Sequence, residues 1–305
     1  MSTRIPWYDA DQVVAEVTPD MARRALRRAI EEGLDPAADP ARQAVPTAHG
    51  QLLLMPASSP DHAGVKVASV APGNPELGKP RIQAVYVLLD AQSLTPIALM
   101  DGTALTTLRT PAVSAVAVDR LADGAADRLV VFGSGPQAWG HIEAIREIRR
   151  LHHVTIVGRD QDHAQALVDK AAAAGLDTGL GQPSDVADAD MIVCATSSPT
   201  PLFDGSEVAA GACVAAIGAH LPDHRELDGS LVGRSQVVVE DVDTALREAG
   251  DVVLAIAEGT TSTEALVPLT SLVTGRASRA LDRPNVFKGV GMSWQDLVIA
   301  SRVVG

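Results

Sequence analysis

The stretch RLVVFGSGPQAWG, residues 128–140, decides the fold class of this chain. An apolar run ends at Gly133-Ser134-Gly135, and helix-forming residues follow it. This order of strand, G-x-G-x-x-A turn and helix is typical of a dinucleotide-binding turn, because the glycines permit a tight turn and a close approach of a pyrophosphate. The free N–H groups of the helix N-terminus then face the phosphates. We therefore predict a pyrophosphate cradle built by Gly133, Ser134, Gly135, Pro136, Gln137 and Ala138.

Apolar runs alternate with alanine-rich amphipathic stretches on both sides of this turn, from about residue 123 to 284. The runs predict strands at 129–133, 153–158, 191–195, 212–218 and 236–240, with helices such as 137–150 and 162–174 between them. Such alternation is typical of parallel βαβ units with right-handed crossovers. We predict a Rossmann-type doubly wound α/β domain over residues 120–284.

The N-terminal third has a different pattern. Two helical stretches, 9–16 and 18–32, precede a proline-rich link, short strand-like runs separated by turn residues, and a long helix over 102–121. The runs at 42–48, 51–55, 65–70, 82–90 and 96–100 predict an antiparallel sheet. The last stretch, from residue 285, is interpreted as a loop and an apolar helix that return to this region. Residues 1–119 and 285–305 are thus predicted to form a second, α+β domain.

Composition excludes several classes of function. The 305 residues carry a formal net charge of −13, which disfavours binding to nucleic acid or to anionic membranes. No run approaches the ~20 apolar residues of a membrane span, and the N-terminus lacks the apolar core of a signal peptide. The two cysteines form no disulfide pattern, and His220 and His224 lack a third ligand nearby. We expect a cytoplasmic protein without a metal site.

The choice of cofactor depends on the end of the second predicted strand, VTIVGRD. Gly158 leaves room there, and Arg159 offers a guanidinium for the 2′-phosphate of NADP, unless it is only a solvated loop residue. Asp160 follows at once and is the residue type that binds the ribose of NAD. We expect NADPH, with NADH as the alternative. The strand that ends in Cys194, Ala195 and Thr196 is expected to lie near the nicotinamide, because ligands bind at the carboxyl ends of such strands.

Three cations outside this domain form a candidate anion site: Arg42, Lys66 and Arg109. Arg109 interrupts a helix of Ala, Thr, Leu and Val, where a buried guanidinium needs an anionic partner. Taken singly, each cation is also compatible with a surface or structural role. Together they favour the binding of a carboxylate.

The surrounding motifs carry a resemblance over nearly the whole chain. In order they are Arg42, Met55-Pro56-Ala57, Gly64-Val65-Lys66, Leu99-Met100-Asp101-Gly102, Leu108-Arg109-Thr110-Pro111-Ala112, GSGPQA, RELDGSL and VFKGVGMSWQD. This series resembles the ornithine cyclodeaminase/μ-crystallin family. The resemblance implies a homodimer and nicotinamide-dependent chemistry on small α-amino or α-imino acids. It also implies that Arg42, Lys66 and Arg109 hold the substrate's carboxylate region, with the lysine close to the reacting nitrogen, and that Thr110 adjoins the cofactor.

Two positions depart from the cyclodeaminases of that family. The cyclodeaminases carry a Glu two places before Met-Pro and an Asp in a Gly-Gly-Asp turn. This chain has Leu53 at the first position and His220 at the second. His220 is retained as a candidate acid or base, oriented by Asp223 or Glu226, or else as a loop residue. We predict that apolar residues around Leu53, Val67 and Met292 set the substrate's side chain.

These departures favour an NAD(P)H-dependent reductase of small α-imino acids, either cyclic ones such as pyrroline-2-carboxylate or open-chain imines, which gives L-amino acids. In this hypothesis Arg42 and Arg109 clamp the carboxylate, and Lys66 or water protonates the nitrogen. The alternatives are an NAD-dependent amino-acid dehydrogenase, an ornithine cyclodeaminase, and a non-catalytic NADPH- or ligand-binding protein.

Overall fold

The computed structural model of the chain describes residues 4–305. It comprises two compact units: an N-terminal unit, which is residues up to 109 with 292–305, and a central unit, residues 110–291. The contacts place the boundary within one helix, ten residues before the position predicted from the sequence. No helix within residues 4–305 has the length and apolarity that crossing a membrane requires. The cytoplasmic location stays a prediction.

The strands are short, and most of them carry Val, Leu or Ile at alternate or successive positions. In chain order they are β1 (Trp7–Tyr8), β2 (Gln43–Thr47), β3 (Gly50–Ser58), β4 (His62–Val70), β5 (Ile82–Asp90), β6 (Pro96–Asp101), β7 (Arg128–Phe132), β8 (His153–Val157), β9 (Thr178–Leu180), β10 (Met191–Cys194), β11 (Cys213–Ala216), β12 (Gln236–Val239), β13 (Leu266–Pro268) and β14 (Asn285–Lys288).

The helices begin in many cases at an Asp or Thr whose side chain accepts a hydrogen bond from the first turn. In chain order they are α1 (Ala10–Glu16), α2 (Pro19–Glu31), α3 (Gly102–Leu121), α4 (Pro136–Arg146), α5 (Gln161–Ala173), α6 (Gly229–Arg234), α7 (Val242–Glu248), α8 (Gly250–Ala257), α9 (Leu269–Val273) and α10 (Ser293–Val304).

The N-terminal unit is built on a six-stranded sheet in the order β1-β6-β5-β4-β3-β2. Strands β2 to β6 are antiparallel, as predicted, and β1 joins β6 in parallel. One face of the sheet is buried and carries a cross-strand row of Met55, Lys66, Tyr86 and Met100. A lysine in this buried row is the first sign of a site, because an unpaired charge there is costly.

The central unit contains eight parallel strands in the order β13-β12-β14-β11-β10-β7-β8-β9. The predicted alternation of strand and helix is confirmed here. Strand β7 lies between β8 and β10, where the direction of winding reverses. In sheets of this kind, that switch point is where ligands bind, at the carboxyl ends of the strands.

One prediction for the central unit is wrong. The sequence predicts a loop at residues 285–288 and places them in the N-terminal domain, but they form β14, which pairs with β11 and β12. The short sequence NVFK ends in a lysine, and a charged residue is not typical of a buried strand, so the pattern does not predict one. Lys288 is tolerated there because Asp251 lies 2.8 Å from its Nζ.

Candidate functional site

Lys66 is the centre of a buried polar cluster in the N-terminal unit. The residue is 2% exposed, and its Nζ donates hydrogen bonds to Asp296 Oδ2 at 2.7 Å and to Thr106 Oγ1 at 3.0 Å. Strand β4 supplies the lysine, α3 supplies the threonine, and the first turn of α10 supplies the aspartate. Three separate elements therefore converge on one ammonium group.

Arg109 shares the same partners on α10. Its Nη1 donates to Gln295 Oε1 at 3.0 Å, and its Nε lies 3.5 Å from Asp296 Oδ1. Arg109 is 5% exposed, and Asp296 is fully buried. The first turn of α10 thus holds both the lysine and the guanidinium of the predicted substrate site.

The charges around Lys66 change its proton affinity. The pKa of Lys66 is lowered to about 8, chiefly because burial removes its hydration, and the positive charges of Arg109 and Arg42 lower it further. Asp296 opposes these effects. The amine is therefore still largely protonated at neutral pH, and it can give up its proton slightly above neutrality.

Three cations face Asp296 in this cluster, and a second acid, Asp39, lies close enough to act on Tyr86. Arg42 is half-buried and close enough to act on Lys66 electrostatically, so the structure brings Arg42, Lys66 and Arg109 together as predicted. Together with Asp296 they carry a net positive charge in a place of low dielectric. A small carboxylate is the ligand that such an excess favours, because guanidinium groups bind it in a bidentate manner.

Tyr86 is a buried neighbour that sequence reasoning missed. It is the cross-strand partner of Lys66, and a Cβ at Gly64 would collide with its hydroxyl. Its Oη has no hydrogen-bond partner within residues 4–305. The pKa of Tyr86 is raised well above its usual value by burial and by Asp296 and Asp39, so the phenol stays protonated. It is available as a neutral hydrogen-bond donor.

Other members of the cluster also went unrecognised in the sequence: Thr106, Gln295 and Asp296. Gln295 and Asp296 belong to the motif SWQD, and the family resemblance alone assigns no role to either residue. The signal present in the sequence is an acid and an amide in the first turn of an otherwise apolar helix, which α10 then buries.

Strand register corrects the predicted specificity residues. Leu53 and Lys66 lie on the same face of the sheet, since Leu53 pairs with Ala68 and side chains alternate along β3 and β4. Val67 points to the opposite face and cannot contact a ligand held at Lys66. Met292 is the residue that precedes α10.

In the central unit, the glycine turn has the geometry of a phosphate cradle. Gly133 has φ of +112°, and a Cβ there would come 2.5 Å from the carbonyl oxygen of Ala195. Gly135 is the N-cap of α4 without a side-chain cap, and a Cβ on it would meet open space. The N–H groups of Gln137 and Ala138 are thus in position for an anion, so these residues fit a pyrophosphate.

Arg159 and Asp160, which favour NADP and NAD respectively, follow the end of β8 and differ in their contacts. Asp160 is the N-cap of α5, and its carboxylate accepts from the His163 N–H at 3.1 Å. This hydrogen bond lowers the pKa of Asp160, and Arg159 next to it is exposed. Gly158 is required for packing, because a Cβ there would come 2.8 Å from that of Ala164.

A second buried network organises the loops after β10 and β11. Glu226 accepts from the Thr196 N–H at 2.8 Å, the Thr196 hydroxyl at 2.7 Å and the Gly218 N–H at 2.7 Å. Its own N–H donates to Asp251 Oδ1 at 2.7 Å. Burial raises the pKa of Glu226. The network joins Thr196 to the loop that carries His220.

The remaining predicted site residues, Cys194, Thr110 and His220, differ in how far their side chains are exposed to solvent. The thiol of Cys194 is buried in the core, and burial raises its pKa well above the usual value. Thr110 is half-buried and follows Arg109 in α3. His220 is exposed, with Nδ1 3.0 Å from the Gly218 carbonyl oxygen. The two acids expected to orient it have other partners, since Asp223 pairs with His224 and Glu226 holds the network just described.

The sequence pattern of one known family matches almost the whole chain. It is the pattern of the ornithine cyclodeaminase/mu-crystallin family, and it covers residues 11–304. The chain belongs to this family. The family and the α/β fold class predicted from the sequence are confirmed.

Individual members of the family are similar in both sequence and structure. A Delta(1)-pyrroline-2-carboxylate reductase of Bacillus thuringiensis subsp. konkukian is 34% identical over 262 residues, 81% of this chain and 79% of that protein. The ketimine reductase mu-crystallin of Mus musculus is 32% identical over 266 residues, 86% of this chain and 83% of that protein. The structure of the iminosuccinate reductase of Paracoccus denitrificans in complex with NAD+ matches with a TM-score of 0.90 at 26% identity, over 98% of this chain and 95% of that chain.

Proposed function

We propose that this protein is an NAD(P)H-dependent reductase of small α-imino acids, cyclic ones such as pyrroline-2-carboxylate or open-chain imines, and that it forms L-amino acids. The observation that carries the proposal is the buried cluster of Lys66, Arg109 and Arg42, in which the pKa of Lys66 is about 8. The two relatives named as reductases, one of pyrroline-2-carboxylate and one of ketimines, support the same reaction.

The guanidiniums of Arg42 and Arg109 bind the substrate's carboxylate. Gln295 holds one side of Arg109, which leaves other N–H groups of the guanidinium for the ligand. A clamped carboxylate fixes the orientation of the adjacent α-carbon, and this orientation lowers the entropic part of the barrier. Leu53, on the same sheet face as Lys66, favours a substrate with an apolar side chain.

Lys66 supplies the proton that the reaction needs. Reduction of a C=N bond adds a hydride to carbon and a proton to nitrogen, and the ammonium group of Lys66 gives that proton and becomes a neutral amine. A general acid works best when its pKa lies near the operating pH, which a value of about 8 satisfies.

The central unit holds the cofactor, which supplies the hydride when it is bound. Gly133 to Ala138 bind the pyrophosphate through the N-terminus of α4, and Ala195 and Thr196 border the nicotinamide. Cys194 contributes through its backbone, since its thiol lies in the core. We assign the 2′-phosphate of NADPH to Arg159, because Asp160 is engaged by its own helix. NADH is the alternative.

We also propose that the protein is a homodimer. The face of the six-stranded sheet opposite Lys66 is apolar and only half-buried, with a row of Leu54, Val67 and Val85 beside one of Pro56, Val65, Val87 and Leu99. An antiparallel sheet with one solvated face normally carries polar residues there, so an apolar face indicates a partner. Light scattering of wild type and of a Val67→Asp, Val87→Asp double variant tests this: a dimer that becomes a monomer supports it, and a wild-type monomer contradicts it.

The test of the function is the oxidation of NADPH and of NADH with a panel of substrates. The panel contains pyrroline-2-carboxylate, piperideine-2-carboxylate, and pyruvate with ammonia or methylamine. We expect turnover of at least one preformed imine, faster with NADPH, and its loss in Arg109→Ala. Activity only with pyruvate and ammonia would indicate an amino-acid dehydrogenase instead. Cofactor binding without any turnover would contradict a reductase.

A further inference from the structure

We infer that Asp296 is a positioning residue for Lys66: it orients the ammonium group so that one N–H is left for the substrate, and it keeps that group charged. The inference rests on the proposed function of Lys66 as the proton donor. It assigns a separate role to α10, an element that supplies none of the three cations.

The first argument is the count of hydrogen bonds at Lys66 Nζ. A lysine ammonium has three N–H donors, and two of them are directed at Asp296 Oδ2 and Thr106 Oγ1. The Thr106 hydroxyl donates to the Gly102 carbonyl at 2.8 Å, so its oxygen accepts from Lys66. Two fixed acceptors determine the direction of the third N–H, which has no partner within residues 4–305. That N–H is the one available to a substrate nitrogen.

The second argument is that Asp296 is itself held in place. It lies in the first turn of α10, where a carboxylate is favoured by the helix dipole, and it is fully buried. The Trp294 N–H in the same turn donates to Asp39 Oδ2 at 2.7 Å, which fixes the start of the helix. Asp296 also lies beside Arg109, so one carboxylate sets the relative positions of both cations.

The third argument is the balance of charge around Lys66. The groups that face it are Tyr86 from β5, Thr106 and Arg109 from α3, Arg42 from the segment before β2, and Asp296 from α10. The two guanidiniums and burial lower the pKa of Lys66, and Asp296 raises it. Without the carboxylate, the pKa of Lys66 would be lower. Lys66 would then be neutral, and unable to donate a proton, at pH values where the wild-type lysine is still protonated.

The variant Asp296→Asn tests this, because it keeps the shape and a hydrogen-bonding oxygen but removes the charge. If Lys66 is the acid, kcat/KM for imine reduction falls on the alkaline side as Lys66 deprotonates. We expect this alkaline limb to move to lower pH by about 1–3 units in Asp296→Asn. At pH 8, kcat/KM would then be at least about fivefold below wild type, with recovery towards pH 6.

The matched control is Asp251→Asn, which alters the buried lysine–aspartate pair of the central unit. We expect this variant to denature at a lower temperature, with the alkaline limb unmoved. A limb that stays in place in Asp296→Asn, in protein whose melting temperature shows that it is folded, would overturn the inference. An equal displacement of the limb in both variants would overturn it too.

A direct titration separates failure of this inference from failure of the proposed function. Lysine labelled with 13C at Cε reports the pKa of each amine by NMR, and the signal absent from Lys66→Met identifies Lys66. We expect this pKa to be lower in Asp296→Asn than in wild type, whatever reaction the protein catalyses. An unchanged pKa would contradict the role of Asp296, whereas a lowered pKa in a protein without imine reductase activity would contradict only the proposed function.

Discussion

The two units each bury a lysine–aspartate pair, and the pairs differ in their neighbours. In the N-terminal unit Lys66 lies 2.7 Å from Asp296, and in the central unit Lys288 lies 2.8 Å from Asp251. All four side chains are almost completely buried. Distance and burial therefore do not distinguish a site of chemistry from a structural ion pair.

The neighbours do distinguish them. Lys288 donates to the carbonyl of Ala219, and Asp251 accepts from the backbone N–H groups of Glu226 and Leu227. The second pair is thus surrounded by backbone partners and fastens loops to the sheet. Lys66 and Lys288 each have two contact partners among residues 4–305, so a spare N–H is common to both pairs. The first pair differs because the guanidiniums of Arg109 and Arg42 lie beside it. A buried ammonium group beside two like charges is arranged for an anionic ligand.

The largest expected effect is that of Lys66→Met on catalysis. Loss of a general acid lowers the rate by about 10²–10⁴-fold, and we expect a loss of kcat in this range for imine reduction. The measurement is steady-state NADPH oxidation, with cofactor binding as a check of folding. A folded Lys66→Met enzyme within threefold of wild type would show that Lys66 is not the proton donor.

Lys288→Met is the complementary variant, and its effect is on stability. It leaves the Asp251 carboxylate and the Ala219 carbonyl without their buried partner, which costs about 3–5 kcal/mol. Urea unfolding gives the free energy of unfolding directly. If Lys288→Met were as stable as wild type but had lost activity, the contrast between the two pairs would be reversed.

Another buried titratable group, His141, sharpens the comparison because its partners are neutral. Its ring nitrogens lie 2.7 Å from the Gln137 carbonyl oxygen and 2.9 Å from the Ser114 hydroxyl, and burial lowers its pKa to about 4. The unfolded chain, with a pKa near 6.5, binds this proton more readily. The contribution of His141 to the free energy of unfolding is therefore fully present above pH 6.5. As the pH falls from 6.5 towards 4, the free energy of unfolding decreases by about 3 kcal/mol.

Urea unfolding of wild type and His141→Gln at pH 7 and at pH 4.5 measures that contribution. The difference in unfolding free energy between the two pH values should be smaller in the variant. Equal differences in both proteins would show that other groups cause the acid sensitivity.

The smallest expected effect is that of His220→Gln. His220 is exposed on its loop, and the proton is assigned to Lys66, so we expect kcat/KM to fall by less than about tenfold, below the range for a general acid. A loss beyond a hundredfold, with the cofactor still bound, would move the acid–base role from Lys66 to His220.

Much of the fold could be predicted because its signals are local. The glycine turn at Gly133 and Gly135, the alternation along β4 and β5, and the capped starts of α2 and α5 each depend on a few neighbouring residues. Strand β14 could not be predicted, because Lys288 is compatible with a buried strand only through Asp251, 37 residues away in sequence.

The residues of the candidate site also fall into those that the sequence predicts and those that depend on tertiary contacts. Arg42, Lys66 and Arg109 are recognisable as cations in apolar surroundings, and the structure brings them together. Asp296 and Lys66 are 230 residues apart in sequence, so their hydrogen bond is a tertiary contact that no local sequence pattern indicates. The position of Leu53 on the face of Lys66 depends on the register between β3 and β4, whereas Val67 points away simply because it follows Lys66 in the same strand.

The most direct test of the central claim is the pH dependence of kcat/KM for NADPH-dependent reduction of pyrroline-2-carboxylate between pH 6 and 10. If Lys66 must be protonated to act, kcat/KM is constant at low pH and falls as the pH rises through about 8. A profile that stays flat to pH 10, at a pH where the Lys66 amine is neutral, would contradict proton donation by Lys66.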